Sequence, residues 1–181
     1  MTNDRSIPVH AAAILDDGRR DIDALLRTLV QAQRAAGRRV RGLLMAPHDG
    51  GAGCARTMVL VDLHTHDEYL VSQPLGGASN ACRADPQGFA RASQVLKRAV
   101  DEAPDLLISN RFGSLEALGG GFCAELLEAM SHGVPVLTAV SSARLEAWRA
   151  FTGGVAAELP ADLAAIEAWL DSTRQATAPT A

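Results

Sequence analysis

Residues 106–122 read LLISNRFGSLEALGGGF. The run LLIS is long enough for a short strand, and it stops abruptly at Asn110 and Arg111. A Phe-Gly turn, a lone acid at Glu116 and three consecutive glycines follow. LLIS shows no alternation of polar and apolar positions, so both faces of the strand are expected to be covered, as in parallel sheets flanked by helices. In such sheets, ligands bind beyond the carboxyl ends of the strands. An amide, a cation and a carboxylate at that point are therefore candidate ligand contacts.

The segments on either side fit this architecture. An apolar run at 9–15 is followed by DDGRRD, and then by IDALLRTLVQAQRAAG. There Leu25, Leu26, Leu29 and Val30 recur at the spacing of a helix that buries one face. Asp21 suits the N-cap and Gly37 the C-terminal stop. VRGLLM (40–45) reads as a second buried strand, and 46–56 as a loop. TMVLVDL (57–63) and EYLVSQP (68–74), joined by HTHD, form a hairpin pattern. The stretch LGGASNACRADP reads as another loop, with Asp85 before a helix that runs to about Ala103. Phe89, Ala92, Val95, Leu96 and Val100 share one face of that helix.

DLLIS is the next strand, FCAELLEAMSHG a helix ending at Gly133, and PVLTAV a further strand. SSARLEAWRAFTGG reads as a Ser-capped helix with Leu145, Trp148 and Phe151 inward. GVAAEL and ADLAAIEAWLDSTR supply a last strand and helix. Strands alternating with helices predict an α/β fold: a three-layer α/β/α arrangement on a mainly parallel sheet, with one β-hairpin. We expect a single domain over 1–174 and a flexible tail over 175–181.

Composition limits the function classes. At 181 residues, 48% of them hydrophobic, the chain can bury a sizeable core, filled by aliphatic residues because aromatics are only 4%. A net charge of −4 argues against a nucleic-acid or anionic-membrane surface while leaving room for a local basic pocket. VHAAAIL is too short to span a bilayer and is closed by Asp16-Asp17, so no membrane insertion is expected. Three scattered cysteines make no disulfide framework, and we expect a reduced, cytoplasmic protein. Composition leaves a homo-oligomer open.

Three segments carry candidate chemistry. In DDGRRD, a strand, a glycine turn and a helix start can cradle an anion with backbone N–H groups and the helix dipole. Gly18, Arg19, Arg20 and Asp21 are the candidate contacts. The phosphate-loop signature is nevertheless absent, with one glycine, no lysine, no hydroxyl for magnesium, and two aspartates that repel phosphate. A plain βα connection with solvated arginines is the alternative.

In NRFGSLE, Asn110 and Arg111 could hold an oxygen-rich ligand, and Glu116 could act as a base. Equally, Asn110 could cap a turn, Arg111 could face solvent and Glu116 could pair locally. Finally, a thiol beside a guanidinium at Cys82-Arg83 favours the thiolate, which suits a soft oxyanion, and Cys54 lies in a glycine-rich loop. His48, Cys54, His64 and His66 match no strong metal signature, and no metal site is assigned. Cys123 reads as core, and Ser141-Ser142 as a helix cap.

NRFGSLEALGGGF resembles a family of bacterial domains of unknown function, often encoded beside molybdate-uptake genes. That family is similar in turn to the thermophilic-type P-loop nucleoside triphosphatases. VSQPLGG, Cys82-Arg83-x-Asp85, the Cys54 loop and PVLTAV with its following Trp/Phe helix also fit the unknown-function family. The NTPases carry Asp-Glu-x-Gly-x-Met-Glu after a strand. Laid on that motif, Asn110 replaces the magnesium-organising acid and Arg111 the next acid, while Gly113, Leu115 and Glu116 keep the pattern. The resemblance implies a P-loop NTPase-like fold that has lost its lysine, its hydroxyl and both acids, and with them ordinary magnesium-dependent hydrolysis.

The leading expectation is a non-hydrolytic or very weakly hydrolytic protein that binds a small anionic ligand, a nucleotide or an oxyanion such as phosphate or molybdate. Gly18, Arg19, Arg20, Asp21, Arg83, Asn110 and Arg111 would serve it. An atypical nucleoside triphosphatase with Glu116 as base is the second reading. A partner-binding protein that has lost its site is the third.

Overall fold

The structure, a computed structural model, describes residues 9–46, 58–74 and 82–177. A seven-stranded sheet runs through its centre in the order β4-β3-β2-β7-β8-β1-β9. Its strands are β1 (Ala11–Asp16), β2 (Val40–Met45), β3 (Val59–Asp62), β4 (Glu68–Leu70), β7 (Leu106–Ser109), β8 (Val136–Ser141) and β9 (Ala157–Leu159). β2, β7, β8, β1 and β9 are mutually parallel, and β3 and β4 add an antiparallel edge. The expected hairpin is β3–β4, with Val61 opposite Glu68.

Strand residues alternate between two cores. Ala11, Ala13, Leu107, Val136 and Val140 face one, while Ala12, Ile14, Ile108, Leu137 and Ala139 face the other. Helices α2 (Pro86–Asp101), α4 (Cys123–Ser131) and α5 (Leu145–Phe151) cover the first face, and α1 (Ile22–Ala35) and α6 (Leu163–Thr177) the second. This is the three-layer α/β/α architecture that uniformly apolar strands demand. Leu26 and Leu29 of α1 are fully buried, and each such side chain contributes about 2 kcal/mol by leaving water.

Local chemistry sets the helix ends. Asp21 accepts from the Ala24 N–H at 2.9 Å and Asp85 from the Gln87 N–H at 3.0 Å, each capping its helix. Gly37, at φ +75°, ends α1 in the left-handed conformation that glycine adopts without penalty.

Three boundaries differ from expectation. EYLVSQP divides in two: β4 stays with the main sheet, while β5 (Ser72–Pro74) pairs with β6 (Cys82–Ala84), part of the segment read as loop. The tail expectation began at 175, but α6 continues to Thr177. The Ser cap before α5 is replaced by a 3-10 turn, Ser142–Arg144, with no side-chain capping bond from Ser141. A short helix α3 (Ser114–Ala117) follows the turn after β7.

Candidate functional site

The site lies where the carboxyl ends of β1, β2 and β7 meet the start of α1. The segment after β7 is pinned on two sides. Asn110 is buried: its Oδ1 accepts from the Met45 N–H at 3.1 Å, and its Nδ2 donates to Asp23 Oδ1 at 3.3 Å. The Phe112 N–H donates to the Ala139 carbonyl, extending the β7–β8 pairing. The Phe112 ring packs edge-on against Trp148, with centroids 5.3 Å apart, and also against Phe151. Arg111 sits between these two anchors, so its backbone position is fixed while its side chain is 38% exposed.

Its guanidinium reaches Asp16 Oδ2 at 2.5 Å and Asp23 Oδ1 at 3.5 Å. The cation is thus directed at the start of α1, as the anion-binding reading requires. Its partners in the structure are nevertheless the chain's own carboxylates. Two acids facing one guanidinium leave a negative charge in excess.

The loop after β1 is occupied in the same way. Asp16 Oδ1 accepts from the Gly18 N–H at 3.0 Å and Asp17 Oδ1 from the Arg19 N–H at 3.0 Å. Asp21 takes the Ala24 N–H. These N–H groups are of the kind that hold phosphate oxygens at a helix start, and here carboxylate oxygens stand in the place of that anion. Gly18, at φ +76°, makes the tight turn. Arg19 is paired with Asp17 at the surface at 3.6 Å. Arg19 and Arg20 line an open hollow of about 580 Å³ with Asp17 and residues 160–162. Arg111 borders a different cavity.

That second cavity, of about 400 Å³, opens between β2, β3 and the segment after β7. Met45, Met58, Leu60, Val71, Phe89 and Phe122 form its apolar walls. Asn110, Arg111, Ser114 and Glu116 form its polar end. Ser114 Oγ accepts from Arg144 Nη2 at 2.8 Å. Among the described residues no carboxylate forms an ion pair with Arg144, which reaches the cavity through its bond to Ser114.

Glu116 is buried, and both carboxylate oxygens are engaged by main-chain donors: Gly113 N–H at 2.9 Å and Phe122 N–H at 3.1 Å. It therefore ties the start of α3 to the start of α4 across the glycine loop. Its backbone carbonyl also accepts from the Cys123 thiol at 3.2 Å. Burial, with the nearby carboxylates of Glu116 and Glu125, pushes the Cys123 thiol pKa up.

Arg83, on β6, is exposed and does not line the cavity, whereas its neighbour Ala84 does. Cys82 begins β6, while Cys54 and His48 lie outside the described residues. Among the described residues no group of three or more His, Cys, Asp or Glu is arranged to hold a metal ion. No helix of the described residues is long and apolar enough to cross a membrane. Asp16, Asp23 and Arg144 are the site residues that sequence reading missed. The spacing of acids from Asp16 to Asp23 was the available signal for the first two, and Arg144 carried none.

The fold is that of a P-loop NTPase-like α/β protein. A family model described as "Protein of unknown function (DUF2478)" matches residues 11–169, and the chain belongs to that family. It is 39% identical over 166 residues to the molybdenum import ATP-binding protein ModC 2 of Bradyrhizobium diazoefficiens, a match covering 92% of this chain and 18% of that protein. The chain thus spans under a fifth of this relative's length. The solution structure of a human cancer-related nucleoside triphosphatase superposes with a TM-score of 0.61 at 14% identity, covering 96% of this chain and 99% of that one. At that identity the likeness concerns the fold.

Proposed function

We propose that this chain is a non-hydrolytic binding module on a P-loop frame, with Arg111 receiving the anionic group of a nucleotide or of an oxyanion such as phosphate or molybdate. The observation that carries the reading is the Arg111 guanidinium, fixed at the strand ends, half-exposed and aimed at the start of α1. A ligand anion would take the place of the longer, 3.5 Å contact to Asp23. The fold and the name of the ModC 2 relative support a nucleotide- or molybdate-linked role.

The residues present support an absence of turnover. Lysine, magnesium-binding hydroxyl and both acids are missing, and aspartates hold the loop N–H groups that would otherwise cradle a polyphosphate. Hydrolysis with Glu116 as base would have to break two main-chain hydrogen bonds first.

The test is calorimetry at low salt with phosphate, molybdate and ADP, beside a phosphate-release assay with ATP and magnesium. Saturable binding that Arg111→Ala abolishes, without phosphate release, is the expected result. No binding of any of the three would reject the proposal, and turnover lost in Glu116→Gln would establish the hydrolase reading instead.

A further inference from the structure

We propose that the cavity beside Arg111 binds a flat organic anion: a mainly apolar ring system carrying one phosphate- or sulfonate-type group. The inference rests on the anion-binding reading above and narrows its ligand.

Size comes first. The cavity holds about 400 Å³, within the range of roughly 300–1,000 Å³ usual for small-molecule sites. A bare tetrahedral oxyanion displaces only a few waters, at roughly 30 Å³ each, and would leave most of that space unfilled. Wall chemistry agrees. The thioethers of Met45 and Met58 and the rings of Phe89 and Phe122, whose centroids are 5.1 Å apart, offer polarisable surface that suits a flat ring. The same walls would strip water from an oxyanion and return no hydrogen bond.

Charge fixes the number of anionic groups. Arg111 is already matched by Asp16 and Asp23, and Arg144 donates to Ser114, which lines the same cavity. The 3.5 Å contact from Arg111 to Asp23 is the one an incoming anion can replace, so the polar end offers one guanidinium to one anionic group. The loop N–H groups of Gly18, Arg19 and Ala24 are bonded to aspartates and so are not free for a second or third phosphate. The ring then enters the apolar part while its single anion stays between Arg111 and Arg144.

Three probes separate these contributions: 1-naphthyl phosphate, inorganic phosphate and 1-naphthol, each titrated into the full chain at low salt. We expect 1-naphthyl phosphate to bind at least tenfold more tightly than either of the others. Leu60→Phe, which pushes a ring into the cavity, should weaken 1-naphthyl phosphate at least tenfold and leave phosphate unchanged. Val71→Phe repeats the test from another wall should the first variant fail to fold. Arg144→Ala should weaken both phosphates and spare 1-naphthol. Equal affinity for phosphate and 1-naphthyl phosphate would overturn this inference while the anion-binding reading stood. Equal affinity for 1-naphthol and 1-naphthyl phosphate would overturn the anionic group, and no binding by any probe would overturn this inference, leaving the anion-binding reading to the molybdate and ADP titrations.

Discussion

Arg111, after the end of β7, reaches Asp16, the last residue of β1, at 2.5 Å, although β8 lies between those two strands in the sheet. The contact joins the segment after one strand to the last residue of another. With Asp23 it closes a three-residue ionic group at the point where an open α/β sheet receives its ligand.

Removing the cation should therefore leave two carboxylates facing each other. Arg111→Ala is expected to lower stability by about 1 kcal/mol, modest because the side chain is partly solvated. The loss should shrink when Asp23→Asn is combined with it, which urea denaturation of the double-mutant cycle reads directly.

Glu116 is expected to matter for stability rather than for turnover. In Glu116→Gln, one main-chain N–H would lose its acceptor and face an amide donor, a cost of about 1–3 kcal/mol. Gly121→Ala should be at least as harmful, because Gly121 has φ +56° and an added Cβ would lie 2.0 Å from Glu116 Oε1. Thermal melting of both variants checks the pair.

The buried imidazole of His10 predicts an acid-sensitive fold. Burial lowers its pKa below the ordinary value of 6.5, so the unfolded chain takes up a proton more readily than the native one. Its contribution to stability is therefore complete above 6.5 and falls as pH drops through that value. Unfolding free energies measured between neutral pH and mild acid should decline less in His10→Gln than in the native protein.

Cys123 should be a sluggish thiol. Burial and two nearby carboxylates raise its pKa, so little thiolate forms at mildly alkaline pH. In a Cys54→Ser/Cys82→Ser background, alkylation by iodoacetamide should be slow in the native protein and fast after denaturation.

Most of the fold was legible because its signals are local. The three-and-four spacing in α1 and α2, the capping aspartates at 21 and 85, and the uniformly apolar strands each act over a few residues. The β5–β6 pairing was missed because Ser72–Pro74 and Cys82–Ala84 are short and are joined across a stretch with no alternating pattern. The position of Asn110 and Arg111 at a strand end followed from LLIS alone. The carboxylates that hold Arg111 did not, because Asp16 is 95 residues away and only the packed sheet brings the two together. Glu116 carried the opposite hazard: its motif suggests chemistry, whereas its neighbours Gly113 and Phe122 give it the work of a clasp.

In the proposed function, a ligand anion takes over the guanidinium of Arg111 from the aspartates. The Arg111 side-chain ¹⁵N resonances, followed during a phosphate titration at low salt, test it most directly. The expected result is a saturable shift of those resonances that Asp23→Asn brings to lower phosphate concentration. Resonances that stay fixed while phosphate saturates the protein elsewhere, or that never move at any concentration, would contradict it.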